Sequence, residues 1–147
     1  MATMTKTPEF SIRPATWHRD AALIRAVRQQ VFVIEQNIPE DLEFDGADAN
    51  ALHLLALDRK RDAVGTGRLE ANGKIGRLAV VADFRGRGLG NSLLIELVRI
   101  AGEAGLERVH LHAQLHALAF YERHGFVRRG ETFDEGGIEH VVASMDL

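Results

Sequence analysis

The chain has no cysteine, so disulfide frameworks, thiolate zinc sites and cysteine nucleophiles are excluded together, and a reducing compartment is permitted. It has only three prolines and nowhere 18 consecutive apolar residues, so no membrane-spanning helix is expected. Nor is there an excess of positive charge. Lys and Arg number 18 against 21 Asp and Glu, a net charge of −3, which argues against nucleic acid as a partner. The first twelve residues lack the apolar segment of a secretory signal, and a cytoplasmic location without membrane attachment is expected.

What is present suits one packed domain. The 147 residues are 46% hydrophobic and 27% charged, and a chain of this size buries roughly 70% of its unfolded surface without staples. Residues 1–8 read as a flexible start and residues 9–147 as a single domain, with no linker, low-complexity tract or internal repeat between. The glycines crowd the middle: Gly65, Gly67, Gly73 and Gly76 lead into Gly86, Gly88 and Gly90.

Periodicity supplies the elements. Residues 10–13 read as a short strand, with Phe10 and Ile12 on one face and Pro14 as its stop. Thr16 is placed to cap a helix carrying Leu23, Ile24, Val27 and Val31 at helical spacing. Residues 37–50 are acidic and irregular, and residues 51–57 are strand-like. Residues 62–71 and 74–81 form a hairpin around Asn72-Gly73, a dipeptide suited to a tight two-residue turn. Leu89, Leu93, Leu97, Ile100 and Ala104 step by three or four along an amphipathic helix closed by Gly105. A strand at 109–113, a short helix at 115–124 and strands at 126–129 and 140–145 complete the order β-α-β-β-β-α-β-α-β-β. The hairpins break the alternation of a doubly wound sheet. An α+β (mixed α/β) fold is predicted, with a central mixed, mostly antiparallel sheet flanked by helices.

The most informative stretch runs from the apolar Leu78-Ala79-Val80 through Arg85-Gly86-Arg87-Gly88-Leu89-Gly90-Asn91 into that amphipathic helix. Unpaired N–H groups at a helix start, with the positive end of its dipole, make an anion site, and glycines let a phosphate reach those amides. A P-loop would need Lys-Ser/Thr where Asn91-Ser92 stand, and a dinucleotide fingerprint would need glycine at Asn91, so both fail on spacing.

Arg85-x-x-Gly88-x-Gly90 at a strand-to-helix junction resembles the acetyl-CoA signature of the GNAT family of N-acetyltransferases. Downstream, Gln114-Leu115-His116-Ala117-Leu118-Ala119-Phe120-Tyr121, then Gly125-Phe126, is similar to the second motif of that family, an amide seven residues before a tyrosine. The run Val31-Phe32-Val33-Ile34-Glu35-Gln36, followed by Asp45 and His53, resembles its ElaA-like branch. The resemblance covers nearly the whole chain.

It implies an acyltransferase in which acetyl-CoA, as co-substrate, lies in a V-shaped gap between two parallel central strands while a primary amine attacks the thioester directly. Leu78, Ala79 and Val80 would line the pantetheine arm. Arg85, Gly86, Arg87, Gly88, Leu89, Gly90 and Asn91 would wrap the pyrophosphate, and an N–H near Val80 would hold the acetyl carbonyl. Tyr121 would be the general acid toward the departing thiolate, and Gln114 would replace the family's usual asparagine toward the pantetheine. The base that some members carry five residues before that amide falls on Val109, which cannot serve. By the period of two, His110, His112 and Gln114 share one strand face, and His112 is the candidate base there, with Glu35, Glu70 and His53 as others. Glu35, Glu43, Asp45 and His53 are candidate acceptor-site residues. The acidic stretch 40–45 would attract a cationic amine or else be a solvated face. The acceptor cleft is expected between residues 36–48 and 136–140, taking a small-molecule amine, a peptide N-terminus or a lysine, in a monomer or homodimer. Two alternatives stand beside this reading: a non-catalytic acyl-CoA-binding or regulatory module, and a metal site built on His110, His112 and His116. No metal is expected, because no His-Glu-x-x-His motif exists.

Overall fold

The structure, a computed structural model, describes residues 8–147, so the flexible start expected over residues 1–8 lies, Pro8 apart, outside the described residues. Strands β1 (Phe10–Ala15), β2 (Leu52–Asp58), β3 (Ala63–Leu69) and β4 (Ile75–Val80) form an antiparallel sheet in that order. Strands β5 (Arg108–Gln114), β6 (Val127–Glu135) and β7 (Ile138–Asp146) form a second one in the order β5-β7-β6, also antiparallel. The two meet at one parallel bridge, Lys74 with His110, where the His110 N–H donates to the Gly73 carbonyl at 3.1 Å. Among the described residues no further pairing joins β4 to β5.

Helix α1 (Trp17–Arg28) starts where the Thr16 hydroxyl accepts from the Arg19 N–H at 3.3 Å. It runs on into a π-helical turn, Gln29–Glu35, which closes with the Gln36 N–H on the Val31 carbonyl and leaves Asn37 at φ 57°. A single turn α2 (Glu40–Glu43), the long α3 (Leu89–Glu103) and the short α4 (Leu118–Arg123) complete the set. No helix among the described residues is long and apolar enough to cross a membrane.

The helix α3 holds the two sheets together. Leu89, Leu93, Leu94, Leu97 and Ala101 are at most 1% exposed, packed with Val109, Leu111 and Ala113 of β5 and Val141 and Ala143 of β7. Each such leucine contributes roughly 1.5–3 kcal/mol by leaving water. Gly67 permits the close approach of α3 to β3, since a Cβ there would lie 2.8 Å from Leu97 Cδ1. The helix stops as expected: Leu106 N–H bonds back to Ala101 and Gly105 N–H to Gly102.

Three expectations need correction. Pro14 does not end β1, which continues to Ala15; β1 is the outermost strand, so proline's missing N–H costs no ladder bond on its open side. Residues 37–50 are not wholly irregular, because α2 and a 3-10 turn at Asp48–Asn50 lie within them. The last two strands are longer than read and meet at Gly136-Gly137, since β6 is mostly solvent-facing and shows little apolar alternation.

Candidate active site

Beyond the Lys74–His110 bridge, β4 and β5 enclose a cavity of about 660 Å³, within the size range of small-molecule sites. The alternation of β5 works as expected: Val109, Leu111 and Ala113 face the core, and His112 and Gln114 line the cavity from the other face. His110 shares that face but does not line the cavity. Val109, where a family base would fall, is fully buried in the core.

The β4 wall is Leu78, Ala79 and Val80. Val81 N–H bonds to the Val64 carbonyl, so by antiparallel alternation the N–H and C=O of Val80 turn away from β3 toward the gap. The Val80 carbonyl accepts from Arg85 Nε at 2.9 Å. Upstream the register slips, because Arg68 pairs with Gly76 but Thr66 with Ala79, leaving Arg77 and Leu78 opposite Gly67 as a bulge. Arg77 sits there at φ 51°, a conformation costing roughly 1–2 kcal/mol for a side-chain-bearing residue.

Of the titratable groups on the cavity wall, which also include His116 and His140, two bear on proton transfer beside the strand edge. Tyr121 of α4 packs edge-on to Phe120 and Phe126, and burial pushes its hydroxyl up to about 12. His112 Nδ1 lies 2.8 Å from Glu135 Oε2, with Phe133 edge-on to the imidazole at 5.2 Å. Burial raises the Glu135 carboxyl, but the His112 hydrogen bond and the charges of His112, His140 and Lys74 outweigh it and hold it below the usual range. An ionised Glu135 can only accept, so the proton it shares sits on Nδ1, and Nε2 is an acceptor whenever the ring is neutral.

The remaining cofactor candidates divide. Arg85 forks onto Glu35 with two contacts of 2.9 Å. Gln114 exchanges two bonds with Gln36, at 2.8 and 3.2 Å, and its carbonyl also accepts from His116 Nε2 at 2.7 Å. Gly86, Arg87 and Gly88 are exposed outside the cavity, with Arg87 bonded to Glu9 and stacked on Phe84. Gly88, at φ 84°, precedes an α3 N-terminus that no side chain caps, so the N–H groups of Leu89, Gly90 and Asn91 keep the orphan status of a first helical turn. The Leu89 side chain itself is in the core, and Asn91 Oδ1 accepts from His124 Nε2.

The acidic loop is divided: Glu40 and Asp41 are solvent-exposed, whereas Glu43, Asp45 and Asp48 are held by arginines. Arg28 is fully buried and donates to Glu43 Oε2 at 2.7 Å, to the Glu43 carbonyl at 2.9 Å and to Asp48 Oδ1 at 2.6 Å. Arg68, also buried, donates to Asp45 and Asp48, and Arg77 reaches from the bulge to Glu43 and Asp45. Burial raises the Glu43 carboxyl above its usual range despite Arg77 and Arg28, whereas burial of Asp45 and Asp48 is outweighed by their arginines. Glu43 and Asp45 therefore line the cavity already neutralised. His53 is fully buried beside Trp17, with Nε2 on the Asp48 carbonyl, and Glu35 is on Arg85; neither lines the cavity. Residues of both expected acceptor walls do line it, namely Gln36, Ile38, Leu42, Glu43 and Asp45 on one side and Gly136 and His140 on the other. Among the described residues no three His, Asp or Glu side chains group closely enough to hold a metal ion.

Sequence reasoning missed the partner Glu135, the bridge from Gln36 and the arginines behind the acidic loop. Only the count of acidic residues near Arg28, Arg68 and Arg77 hinted at the last.

Residues 20–147 match the family model for the acetyltransferase (GNAT) domain. Over 124 residues the chain is 33% identical to the uncharacterised N-acetyltransferase YjcF of Bacillus subtilis (strain 168), covering 82% of this chain and 88% of that one. Its fold superposes on an acyl-CoA N-acyltransferase from Pseudomonas aeruginosa with a TM-score of 0.83 and 30% identity, over 92% of this chain and 99% of that one. Escherichia coli ElaA gives a TM-score of 0.83 at 24% identity over 92% and 99% of the two chains, a likeness of fold.

Proposed function

The chain belongs to the GNAT family of acetyltransferases and is an acyltransferase, and on that footing we propose that it transfers an acetyl group from acetyl-CoA to a primary amine, the amine attacking directly while both substrates are bound. The observation that carries this reading is the open β4 edge at Val80, set in a cavity shared with Tyr121 and the His112–Glu135 pair.

The residues fit such a donor. The cavity leaves a strand edge able to bond a chain of amides, and Arg85 on its wall stands four residues before Leu89, where α3 starts uncapped and suited to a pyrophosphate. Acetyl-CoA, when bound, supplies an acyl group activated as a thioester. The Val80 N–H is aimed to hold the carbonyl oxygen as negative charge develops on it. Tyr121 carries its proton at neutral pH, as an ordinary phenol does, and burial, which pushes it up to about 12, makes it a weak acid that gives the proton to the departing sulfur only as negative charge builds there. His112 Nε2 takes the proton of the incoming amine while Glu135 holds the opposite ring N–H. The acceptor, a small-molecule amine or a peptide N-terminus or lysine, enters between residues 36–48 and 136–140. A cytoplasmic location goes with this reading, the cysteine-free composition being suited to a reducing compartment.

Calorimetric titration with acetyl-CoA, followed by measurement of CoA release over a panel of amines, tests the reading. Saturable donor binding and amine-dependent release are expected. Failure of the parent protein to bind acetyl-CoA would overturn it.

A further inference from the structure

The two side chains best placed to bind the donor are already occupied, and by neighbouring residues. Arg85 uses Nε on the Val80 carbonyl and its two terminal nitrogens on both Glu35 oxygens, so its donor fork is filled by a carboxylate. Gln114 gives its N–H to the Gln36 carbonyl and accepts from Gln36 and His116, so its amide is filled by another amide. Glu35 and Gln36 are consecutive, at the end of the π-helical turn and just before Asn37 at φ 57°. They reach to opposite sides of one opening, since β4 and β5 run parallel and Val80 and Gln114 are both C-terminal strand residues.

We propose that Glu35 and Gln36 are stand-ins for the donor, holding Arg85 and Gln114 and yielding them when the donor arrives. This rests on the acetyl-CoA reading above. The chemistry matches group for group. A carboxylate and a phosphate both present paired anionic oxygens to a guanidinium, and the primary amide of Gln36 offers the N–H and C=O that a pantetheine amide offers. Substitution by the donor is an exchange of like for like, so neither Arg85 nor Gln114 is left unpaired in the half-buried mouth. The arrangement also makes Glu35 a competitor. Its charge repels the pyrophosphate that must replace it, and removing that charge should strengthen donor binding.

The test is calorimetric titration of the parent protein, Glu35→Gln and Gln36→Ala with two donors, acetyl-CoA and S-acetylpantetheine, which lacks the pyrophosphate. A partly exposed ion pair of this kind corresponds to about a two- to five-fold effect on affinity. Glu35→Gln should therefore bind acetyl-CoA about two- to five-fold more tightly and S-acetylpantetheine unchanged. Gln36→Ala should tighten both donors alike, because both carry the amide. Weaker or unchanged acetyl-CoA binding by Glu35→Gln would overturn the proposal. So would an equal change toward both donors in that variant, which is the mark of a merely loosened π-turn. If the parent itself binds neither donor, the acetyl-CoA reading has failed, and that outcome is visible before any variant is compared.

Discussion

Replacing Arg28 with methionine should destabilise the protein through charges it leaves behind rather than through lost packing. Methionine fills much of the same volume, but Glu43 loses two bonds, at 2.7 and 2.9 Å, and Asp48 loses one at 2.6 Å. Removing one partner of a buried ion pair typically costs about 3–5 kcal/mol. Here Glu43 keeps Arg77 at 3.2 Å and Asp48 keeps Arg68 at 3.0 Å, which places the loss near the lower end, about 3 kcal/mol. Against a total stability of roughly 5–15 kcal/mol the variant still folds, with Tm lowered by about 6–12 °C. The sign of the pH dependence follows from Glu43. Burial already holds its carboxyl above the unfolded value, and loss of Arg28 raises it further. A group raised on folding stabilises below its unfolded pKa and loses that contribution as pH rises through the folded one. The deficit relative to the parent should therefore be largest at neutral pH and shrink on acidification. Urea unfolding of both proteins at pH 7 and pH 5 measures this. A loss below about 1 kcal/mol, or one indifferent to pH, would refute the account of the loop as a buried charge network.

Tyr121→Phe removes a hydroxyl and keeps the ring, so kcat should fall by ~10²–10⁴-fold with donor affinity unchanged, and a donor with a more acidic leaving thiol should lose less. Glu135→Gln should lower kcat/KM by roughly tenfold or more, again without a change in donor affinity, because His112 loses the carboxylate that fixes its tautomer. Gly88→Asn places a side chain at the mouth of the α3 N-terminus while tolerating φ 84°. Donor affinity should drop by roughly tenfold or more, about 1.4 kcal/mol, in a folded variant, as read by calorimetry and circular dichroism.

Features encoded over a few residues were legible in the sequence. The hairpin turns at Asn72-Gly73 as read, though through a three-residue loop, Ala71 to Gly73 with Gly73 at φ 90°, and not the two-residue turn expected; Gly105 stops α3, and the alternation of β5 sends Leu111 to the core and His112 to the cavity. What escaped depends on distant partners. Glu43 and Asp45 read as open negative charge because Arg28, Arg68 and Arg77 lie 15 to 34 residues away along the chain. His53 looked available because nothing near it in sequence announces that β2 is buried on both faces. The bulge at Arg77 had no signature of its own beyond Gly67, which reads as readily as a weak point in a strand. Pro14 misled because proline's effect depends on whether the strand lies at an edge, and strand order is a tertiary property.

Among the described residues, the parting of β4 from β5 leaves four unpaired strand flanks where a continuous sheet would have two. An exposed flank is a template on which another chain can align and aggregate. The outer pair is blunted by composition, with Pro14 on β1 and Arg128, Arg129 and Glu131 on β6. The inner pair is protected by confinement. Its flanks face each other across a wedge closed at one end by the Lys74–His110 bridge, with α4 alongside and the hairpin residue Gly136 against Ile38. Hydrogen-bonding capacity that would be hazardous on an open surface is thus set within a walled cavity, where it is available to a ligand.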